Sequence, residues 1–195
     1  MTDRLDARPR DRKRLPPGQI ATVKWPVLHY SNVPKLDTGR WRFRVWGEVE
    51  RPLTLGWTEF NALPRRDVLC DMHCVTKWSR YDNLFAGVPV KTLLDLAEVR
   101  STASHVLVHA EPDYTTNLPL ADLARDDVLL ATHHDGEALS AEHGGPVRLL
   151  VPHLYLWKSA KWVRRIQFTI SDRPGFWEVR GYHNNGDPWT EERYA

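Results

Sequence analysis

A cysteine in polar surroundings is the residue of this sequence best placed to do chemistry. Cys74 follows His73 and precedes Val75, Thr76 and Lys77. A buried structural cysteine usually serves packing, whereas a thiol beside basic and hydroxyl groups is more easily held as the thiolate that binds metals or attacks electrophiles. The residues leave three roles open, metal ligand, nucleophile and core thiol, and composition alone favours the core thiol.

The histidines and a second cysteine offer Cys74 two kinds of partner. Cys70, His73 and Cys74 form a Cys-x2-His-Cys pattern, to which His133-His134 could add a ligand. Structural zinc sites usually combine two matching pairs, and this sequence has no second cysteine pair, so we do not expect zinc. A cysteine nucleophile needs a histidine base, and the spacing selects none of three candidates: His29, His109 and His143.

A basic stretch in the second half of the chain could bind an anion. Arg148 lies in it, and Lys158, Ser159 and Lys161 follow near the beginning of a predicted turn. Backbone N–H groups, a hydroxyl and cationic side chains together bind phosphate well. A solvated basic edge has the same composition and is the simpler interpretation of this stretch alone.

The elements that must position these groups are short strands and short helices. A strand over residues 67–74 would end at Cys74, and one over 146–152 would carry Arg148 near its beginning. Periodicity predicts further elements: strands 40–49, 105–110, 128–133 and 163–170, helices 55–63, 90–99 and 120–124, a turn at 87–89, and a loop or helical turn at 156–162. This mixture predicts an α+β fold. Neither GxGxxG nor GxxxxGKS/T occurs, which counts against a nucleotide cofactor.

Length and charge indicate one domain with a basic arm. The chain has 195 residues, the length of a single domain. Residues 1–14 hold six of the 27 Lys and Arg and three of the 25 Asp and Glu, which leaves 21 basic and 22 acidic residues in the body. A near-neutral body argues against a nucleic-acid-binding surface. We interpret residues 1–18 as a flexible arm and 19–195 as the folded domain.

The sequence predicts neither a membrane span nor an export signal. No run approaches the roughly 20 apolar residues that a spanning helix needs, and no apolar segment follows the basic N-terminus. We therefore expect a cytoplasmic protein.

Four motifs, in order along the chain, resemble the molybdopterin-binding domain of the sulfite oxidase family, in particular its small bacterial branch. They are Cys-Val-Thr-Lys-Trp-Ser at 74–79, Tyr-Thr-Thr-Asn-Leu-Pro-Leu at 114–120, His-Gly-Gly-Pro-Val-Arg-Leu-Leu-Val-Pro at 143–152 with Lys-Ser-Ala-Lys-Trp at 158–162, and Gly-Tyr-His-Asn-Asn-Gly-Asp-Pro-Trp at 181–189. The resemblance runs from about Trp25 to the C-terminus. It implies the mixed-sheet α+β fold of that family.

The resemblance also implies a role for each motif. Cys74 would be the single protein thiolate on molybdenum, beside the two sulfurs of one pyranopterin, because soft charged sulfur suits this metal. Tyr114 would stand near the metal and orient substrate or move a proton. The remaining cofactor-binding residues fall into two groups: Arg148, Lys158, Ser159, Ala160 and Lys161 toward the phosphate, and His29, Tyr30, His109 and His143 toward the pterin. The implied reaction is two-electron oxygen-atom transfer on a small, sulfur-containing or similar substrate.

One residue departs from the family's pattern. Sulfite oxidases line their substrate pocket with arginines, one of which follows the cysteine by five residues, and this chain has Ser79 there. Sulfite specificity is therefore not assigned. The resemblance implies an external electron partner, a haem or flavin protein, and a monomeric chain. Two alternatives stay open: a non-catalytic domain that keeps this fold, and a thiol enzyme that uses Cys74 directly.

Overall fold

A computed structural model describes residues 4–6 and 14–195 of the chain. The described residues form strands and short helices, as the sequence predicts. The strands are β1 (Arg4–Asp6), β2 (Ile20–Ala21), β3 (Arg42–Gly47), β4 (Leu53–Gly56), β5 (Arg66–His73), β6 (Trp78–Pro89), β7 (His105–Ala110), β8 (Tyr114–Pro119), β9 (Leu129–His134), β10 (Glu137–Ala138), β11 (Arg148–Leu150) and β12 (Val163–Thr169). The α-helices are α1 (Trp57–Asn61), α2 (Val90–Ala97) and α3 (Leu120–Leu123), and two 3-10 turns span Leu156–Lys158 and Glu178–Arg180.

The strands form two mixed sheets. The larger sheet has the order β1-β5-β6-β9-β10, with β11 paired to β9 and β2 paired to β6. The smaller sheet has the order β4-β3-β12-β7-β8. Parallel pairs (β1 with β5, β2 with β6, β12 with β3) occur beside antiparallel ones. The predicted α+β, mixed-sheet fold is confirmed.

Alternating side chains build the core of the smaller sheet. In β3, Phe43 and Val45 are buried while Arg42 and Arg44 are exposed, as the period of two in a half-buried strand requires. In β7, Val106, Val108 and Ala110 are buried, and the residues between them face the opposite side. A second, smaller apolar cluster lies on the larger sheet and includes Cys70, Met72 and Phe85.

The largest difference from the sequence prediction is β6. The strand runs for 12 residues from Trp78 to Pro89, straight through the turn predicted at 87–89. Gly87 lies so close to β9 that a Cβ atom there would be 2.3 Å from the Leu130 carbonyl oxygen. This glycine thus serves close strand packing rather than a turn. β8 was missed because its central residues, Thr116 and Asn117, are polar although they are buried.

The described part of the N-terminal arm contacts the larger sheet. Residues 4–6 form β1 alongside β5, and Arg14 binds Asp71 at 2.8 Å and Asp82 at 2.9 Å. Residues 1–3 and 7–13, to which the expectation of a flexible arm also applies, lie outside the described residues. Within the described part, no helix is long and apolar enough to cross a membrane.

Candidate functional site

A cavity of about 300 Å3 brings the predicted chemical residues together. Its walls come from an extended segment at residues 25–30, from the loop after β5, from the end of β7 to the beginning of β8, and from residues 156–162. Both motifs that the sequence singles out meet here, because the cavity is lined by Cys74 and also by Arg148, Ser159, Ala160 and Lys161.

Cys74 lies directly after β5, at the beginning of a tight turn into β6. The Cys74 amide donates to the Trp78 carbonyl at 2.9 Å, and the Lys77 amide donates back to the Cys74 carbonyl at 3.0 Å. Lys77 adopts a φ of 70° to close this turn. The Thr76 hydroxyl donates to the Cys74 Sγ at 3.1 Å. The thiol is therefore held at the cavity wall by a short, well-bonded loop.

Burial raises the pKa of the Cys74 thiol, against weaker opposing effects of Thr76, Arg193 and Lys161. Without a metal the group is a neutral thiol near pH 7, and a neutral thiol is a poor nucleophile. Coordination to a metal cation would remove its proton outright. This environment argues against the thiol enzyme that the sequence left open.

Arg148 contributes a buried cation to the cavity wall. Its guanidinium donates to two backbone carbonyls, of His143 at 2.9 Å and of Ser159 at 3.0 Å, while its buried Nε finds no hydrogen-bond partner among the described residues. Both acceptors are neutral, and burial lowers the pKa of Arg148 to about 10. A buried cation without a matching anion is costly, so this position is built for an anionic group.

Lys161 adds a second cation beside Arg148. Its Nζ donates to the Glu142 carbonyl at 2.6 Å. Burial, together with the nearby charge of Arg148, lowers the pKa of Lys161 to about 7. An incoming anion would stabilise the protonated form of the amine and raise this pKa again.

Gly144 allows these two cationic side chains to approach each other. Its φ is +105°, and a Cβ atom here would be 3.0 Å from the Lys161 Cβ and 3.1 Å from the Arg148 Cβ. The Trp162 amide donates to the Gly144 carbonyl at 3.3 Å. Gly144 thus leaves room for both cationic residues beside the backbone.

Ser159 and Ala160 form the wall between the two cations. The Ser159 hydroxyl accepts a hydrogen bond from the Val151 amide at 2.9 Å, and the Ala160 carbonyl accepts one from the Leu149 amide at 2.8 Å. Both residues are buried and line the cavity. These bonds fix residues 159–160 to β11, the strand that carries Arg148.

Tyr114 reaches the cavity from the beginning of β8. Its hydroxyl donates to the Trp157 carbonyl at 2.6 Å. Burial, and secondarily the negative charge of Glu178, raise the pKa of Tyr114 well above its usual value. The phenol is therefore protonated at neutral pH, and its oxygen can still accept a hydrogen bond inside the cavity.

The structure brings His29 and Tyr30 to the cavity but not His143. The His29 Nδ1 donates to the Ser31 carbonyl, and the Tyr30 ring lies 4.2 Å from that of Phe176. The His143 ring instead stacks on Trp25 at 3.9 Å and donates to its carbonyl at 3.3 Å. His143 thus supports a wall residue from behind.

His109 and Lys158 also lie away from the cavity. The alternation along β7 turns His109 to the face opposite the core, where its ring lies 5.2 Å from Trp46. Lys158 is fully buried and binds Glu178 at 2.6 Å and the Asn117 carbonyl at 2.8 Å. The structure does not bring either residue to the cofactor side, contrary to the sequence expectation.

Most of the aromatic wall of the cavity was not predicted from the sequence. The cavity is lined by indole and phenol rings that no motif marked for this role: Trp25, Trp78, Trp157, Trp162, Trp177 and Tyr182. The Trp78 Nε1 is buried and has no hydrogen-bond partner within the described part of the chain, so it is a spare donor at the wall. The signals were the high tryptophan content, nine in 195 residues, and the positions of Trp78, Trp162 and Tyr182 inside the quoted motifs. Neither signal decides the role, because aromatic residues serve ordinary cores equally well.

The comparison with known proteins agrees with this geometry. The family described as "Oxidoreductase molybdopterin binding domain" matches residues 30–177. The chain belongs to this family. It is a molybdenum-dependent oxidoreductase whose cofactor is molybdopterin with molybdenum. The expectation of an enzyme is thereby confirmed, and the alternative of a non-catalytic domain is set aside.

Relatives of this molybdopterin oxidoreductase cover most of the chain. An uncharacterised oxidoreductase of Bacillus subtilis, YuiH, is 48% identical over 183 residues, which are 93% of this chain and 92% of YuiH. The protein-methionine-sulfoxide reductase catalytic subunit MsrP of Campylobacter jejuni is 30% identical over 180 residues, 81% of this chain. The chain spans only 60% of the length of MsrP.

A solved structure shares the fold of this oxidoreductase. The sulfane dehydrogenase SoxCD from Paracoccus pantotrophus matches with a TM-score of 0.68 and 26% identity, over 73% of this chain and 41% of that one. The residues present fit the family's cofactor: a thiol and two cations whose described neighbours are largely neutral carbonyls face the same cavity.

Proposed function

We propose that Cys74 supplies the protein thiolate that binds molybdenum. The supporting observation is its position at the wall of a cavity that Arg148 and Lys161 also line. A thiolate suits a thiophilic metal, and the hydrogen bond from Thr76 stabilises negative charge on the sulfur. The tight turn after β5 fixes the direction of the Cys74 side chain before the metal binds.

The phosphate of the pterin belongs at the basic side of the cavity. Arg148 offers the Nε that no described residue engages and Lys161 its ammonium group, while Ser159 and Ala160 hold the wall between them. Paired cationic donors bind phosphate by charge-assisted hydrogen bonds. We expect His29 and Tyr30 to contact the pterin from the extended segment, with His143 supporting Trp25 behind it.

When bound, the molybdenum cofactor supplies the two-electron redox change of oxygen-atom transfer. The chain's own residues bind and orient a small substrate and exclude water from it. Tyr114, held protonated by burial, donates its proton to the Trp157 carbonyl, so its oxygen can accept a hydrogen bond from a donor on the substrate. Trp157, Trp177 and Tyr182 form an apolar wall, which favours a neutral substrate over a small dianion.

Ser79 contributes to this preference through its burial. It is fully buried, and its hydroxyl bonds His73 at 2.8 Å and Gln19 at 3.3 Å instead of facing the cavity. The arginine that would bind sulfite thus has no counterpart at this position. Electrons would come from, or go to, an external haem or flavin protein. Cytoplasmic localisation stays a prediction, which cell fractionation tests.

Metal and pterin analysis tests the proposal. The protein is purified from a host that makes the cofactor, and molybdenum, phosphate and pterin fluorescence are measured per chain. We expect roughly one molybdenum per chain, lost in Cys74→Ser and kept in the matched control Cys70→Ser, since Cys70 packs in the core of the larger sheet. Folded wild-type protein without molybdenum, or full occupancy in Cys74→Ser, would contradict the assignment.

A further inference from the structure

The loop that carries Cys74 (residues 74–77, the thiol loop) is held by two buried side chains from opposite ends of the chain. The Gln19 side-chain amide donates to the Cys74 carbonyl at 3.0 Å. The Arg193 guanidinium donates to the Val75 carbonyl at 2.7 Å. Consecutive carbonyls of the thiol loop are therefore bound from two directions, and both donors come from segments outside the four sequence motifs that carry the family resemblance.

Arg193 also connects the two end segments to each other. Its second nitrogen donates to the Pro17 carbonyl at 3.4 Å and lies 3.8 Å from the half-exposed Glu191 carboxylate. Its guanidinium lies 5.0 Å from the centre of the Tyr155 ring. Arg193 is only 7% exposed, so contacts with the surrounding protein fix its side-chain position.

The N-terminal partner is equally well anchored. Ile20 and Ala21 pair with Trp78 and Ser79 of β6, and the Gln19 side-chain oxygen accepts a hydrogen bond from Ser79 at 3.3 Å. The segment that contains Gln19 and β2 is therefore held against β6, the strand that begins directly after the thiol loop. The Arg193 guanidinium is planar and rigid. By binding the carbonyls of Val75 and Pro17, it holds the thiol loop against the N-terminal segment.

We propose that Arg193 is a positioning residue that sets the direction of the Cys74 thiolate through the Val75 carbonyl. This rests on the proposed function of Cys74 as the molybdenum ligand. The geometry suits the role, because the Val75 carbonyl belongs to the peptide between Val75 and Thr76. Holding that peptide fixes the turn after Cys74, including the Thr76 hydroxyl that donates to the Cys74 Sγ.

The test combines amide hydrogen exchange of the cofactor-free protein with the spectrum of the loaded one. Arg193→Gln removes the cation, and Arg173→Gln, an exposed arginine in the same tail, is the matched control. We expect exchange at residues 74–78 to rise about ten- to hundredfold in Arg193→Gln, with no change in β7 of the other sheet. In loaded protein, the absorption of the metal-bound thiolate should shift or weaken. Arg193→Lys, which keeps a charged donor, should restore part of both.

Three results would overturn the assignment. Exchange at residues 74–78 could match the wild type in Arg193→Gln, or it could rise equally in β7, which would indicate a general loss of stability. Arg193→Lys could also behave as Arg193→Gln in both measurements. If wild-type protein takes up no molybdenum, the proposed ligand role of Cys74 fails on its own, and the exchange measurement still decides whether Arg193 clamps the loop.

Discussion

Gly144→Ala should damage the anion site far more than an ordinary glycine substitution. Two unfavourable contributions to the folding free energy combine at this position. A left-handed backbone costs an L-residue about 1–2 kcal/mol. The new Cβ would also meet the Cβ atoms of Lys161 and Arg148 at 3.0 and 3.1 Å, and these atoms next to the backbone cannot rotate away. Overpacking of this kind costs about 1–3 kcal/mol.

Gly136→Ala is the matched control for this substitution. Gly136 has a φ of +87°, and a Cβ atom added there would have no atom of the described residues within 4 Å, so only the backbone cost applies. The difference between the two variants isolates the contact cost, about 1–3 kcal/mol. For a domain of this size that corresponds to a Tm about 2–12 °C lower for Gly144→Ala than for Gly136→Ala.

The assay is thermal unfolding of both variants, with and without added sulfate as an anion probe. Gly144→Ala should also lose the sulfate-dependent part of its stability, because Arg148 and Lys161 are pushed apart. Gly136→Ala should keep it. Equal Tm values and equal sulfate responses for the two variants would refute the claim that residue 144 must be glycine for the two cations to converge.

Three further substitutions test other parts of the site. Lys158→Met should destabilise the fold by about 3–5 kcal/mol in urea unfolding, because it removes the cation that the buried Glu178 carboxylate binds. Lys91→Met, in an exposed pair, should leave the free energy of unfolding nearly unchanged, and similar losses in the two variants would refute the reasoning. The pKa of Lys161 is about 7 in the folded state, below its unfolded value of 10.5. The unfolded chain thus binds more protons between these pH values, so wild-type stability should rise with pH there, and Lys161→Met should flatten that slope; an unchanged slope would count against it. Ser79→Arg should lower stability by more than about 3 kcal/mol, since it buries a charge in a filled site, and should confer no sulfite oxidation; a stable, sulfite-oxidising variant would contradict our placement of Ser79.

The sequence predicted the local elements better than the distant contacts. The strand over 105–110 follows from alternation and was confirmed. The strand predicted over 67–74 corresponds to β5, which ends one residue before Cys74. Gly87 misled the prediction, because a glycine required for close packing of two strands is indistinguishable in one dimension from a turn glycine.

Site membership was harder to predict because it depends on side-chain direction. Lys158 and Lys161 stand three residues apart in one motif, yet Lys158 points toward Glu178 and Lys161 toward the cavity. A 3-10 turn with a change of backbone direction after it separates them, and no sequence period describes such a turn. Arg193 was invisible for a different reason: its partner lies 118 residues away, and nothing in the sequence reports that distance.

That separation affects when the site can form during synthesis. Val75 leaves the ribosome 118 residues before the side chain that holds its carbonyl. At about 5–20 residues per second, the thiol loop waits roughly 6–24 s for its clamp. Contacts between such distant residues also form late in folding. A cofactor that needs the completed thiol loop would therefore be inserted only after the chain has been synthesised as far as Arg193. A nascent chain that stops before Arg193 should fold its sheets but bind the cofactor poorly.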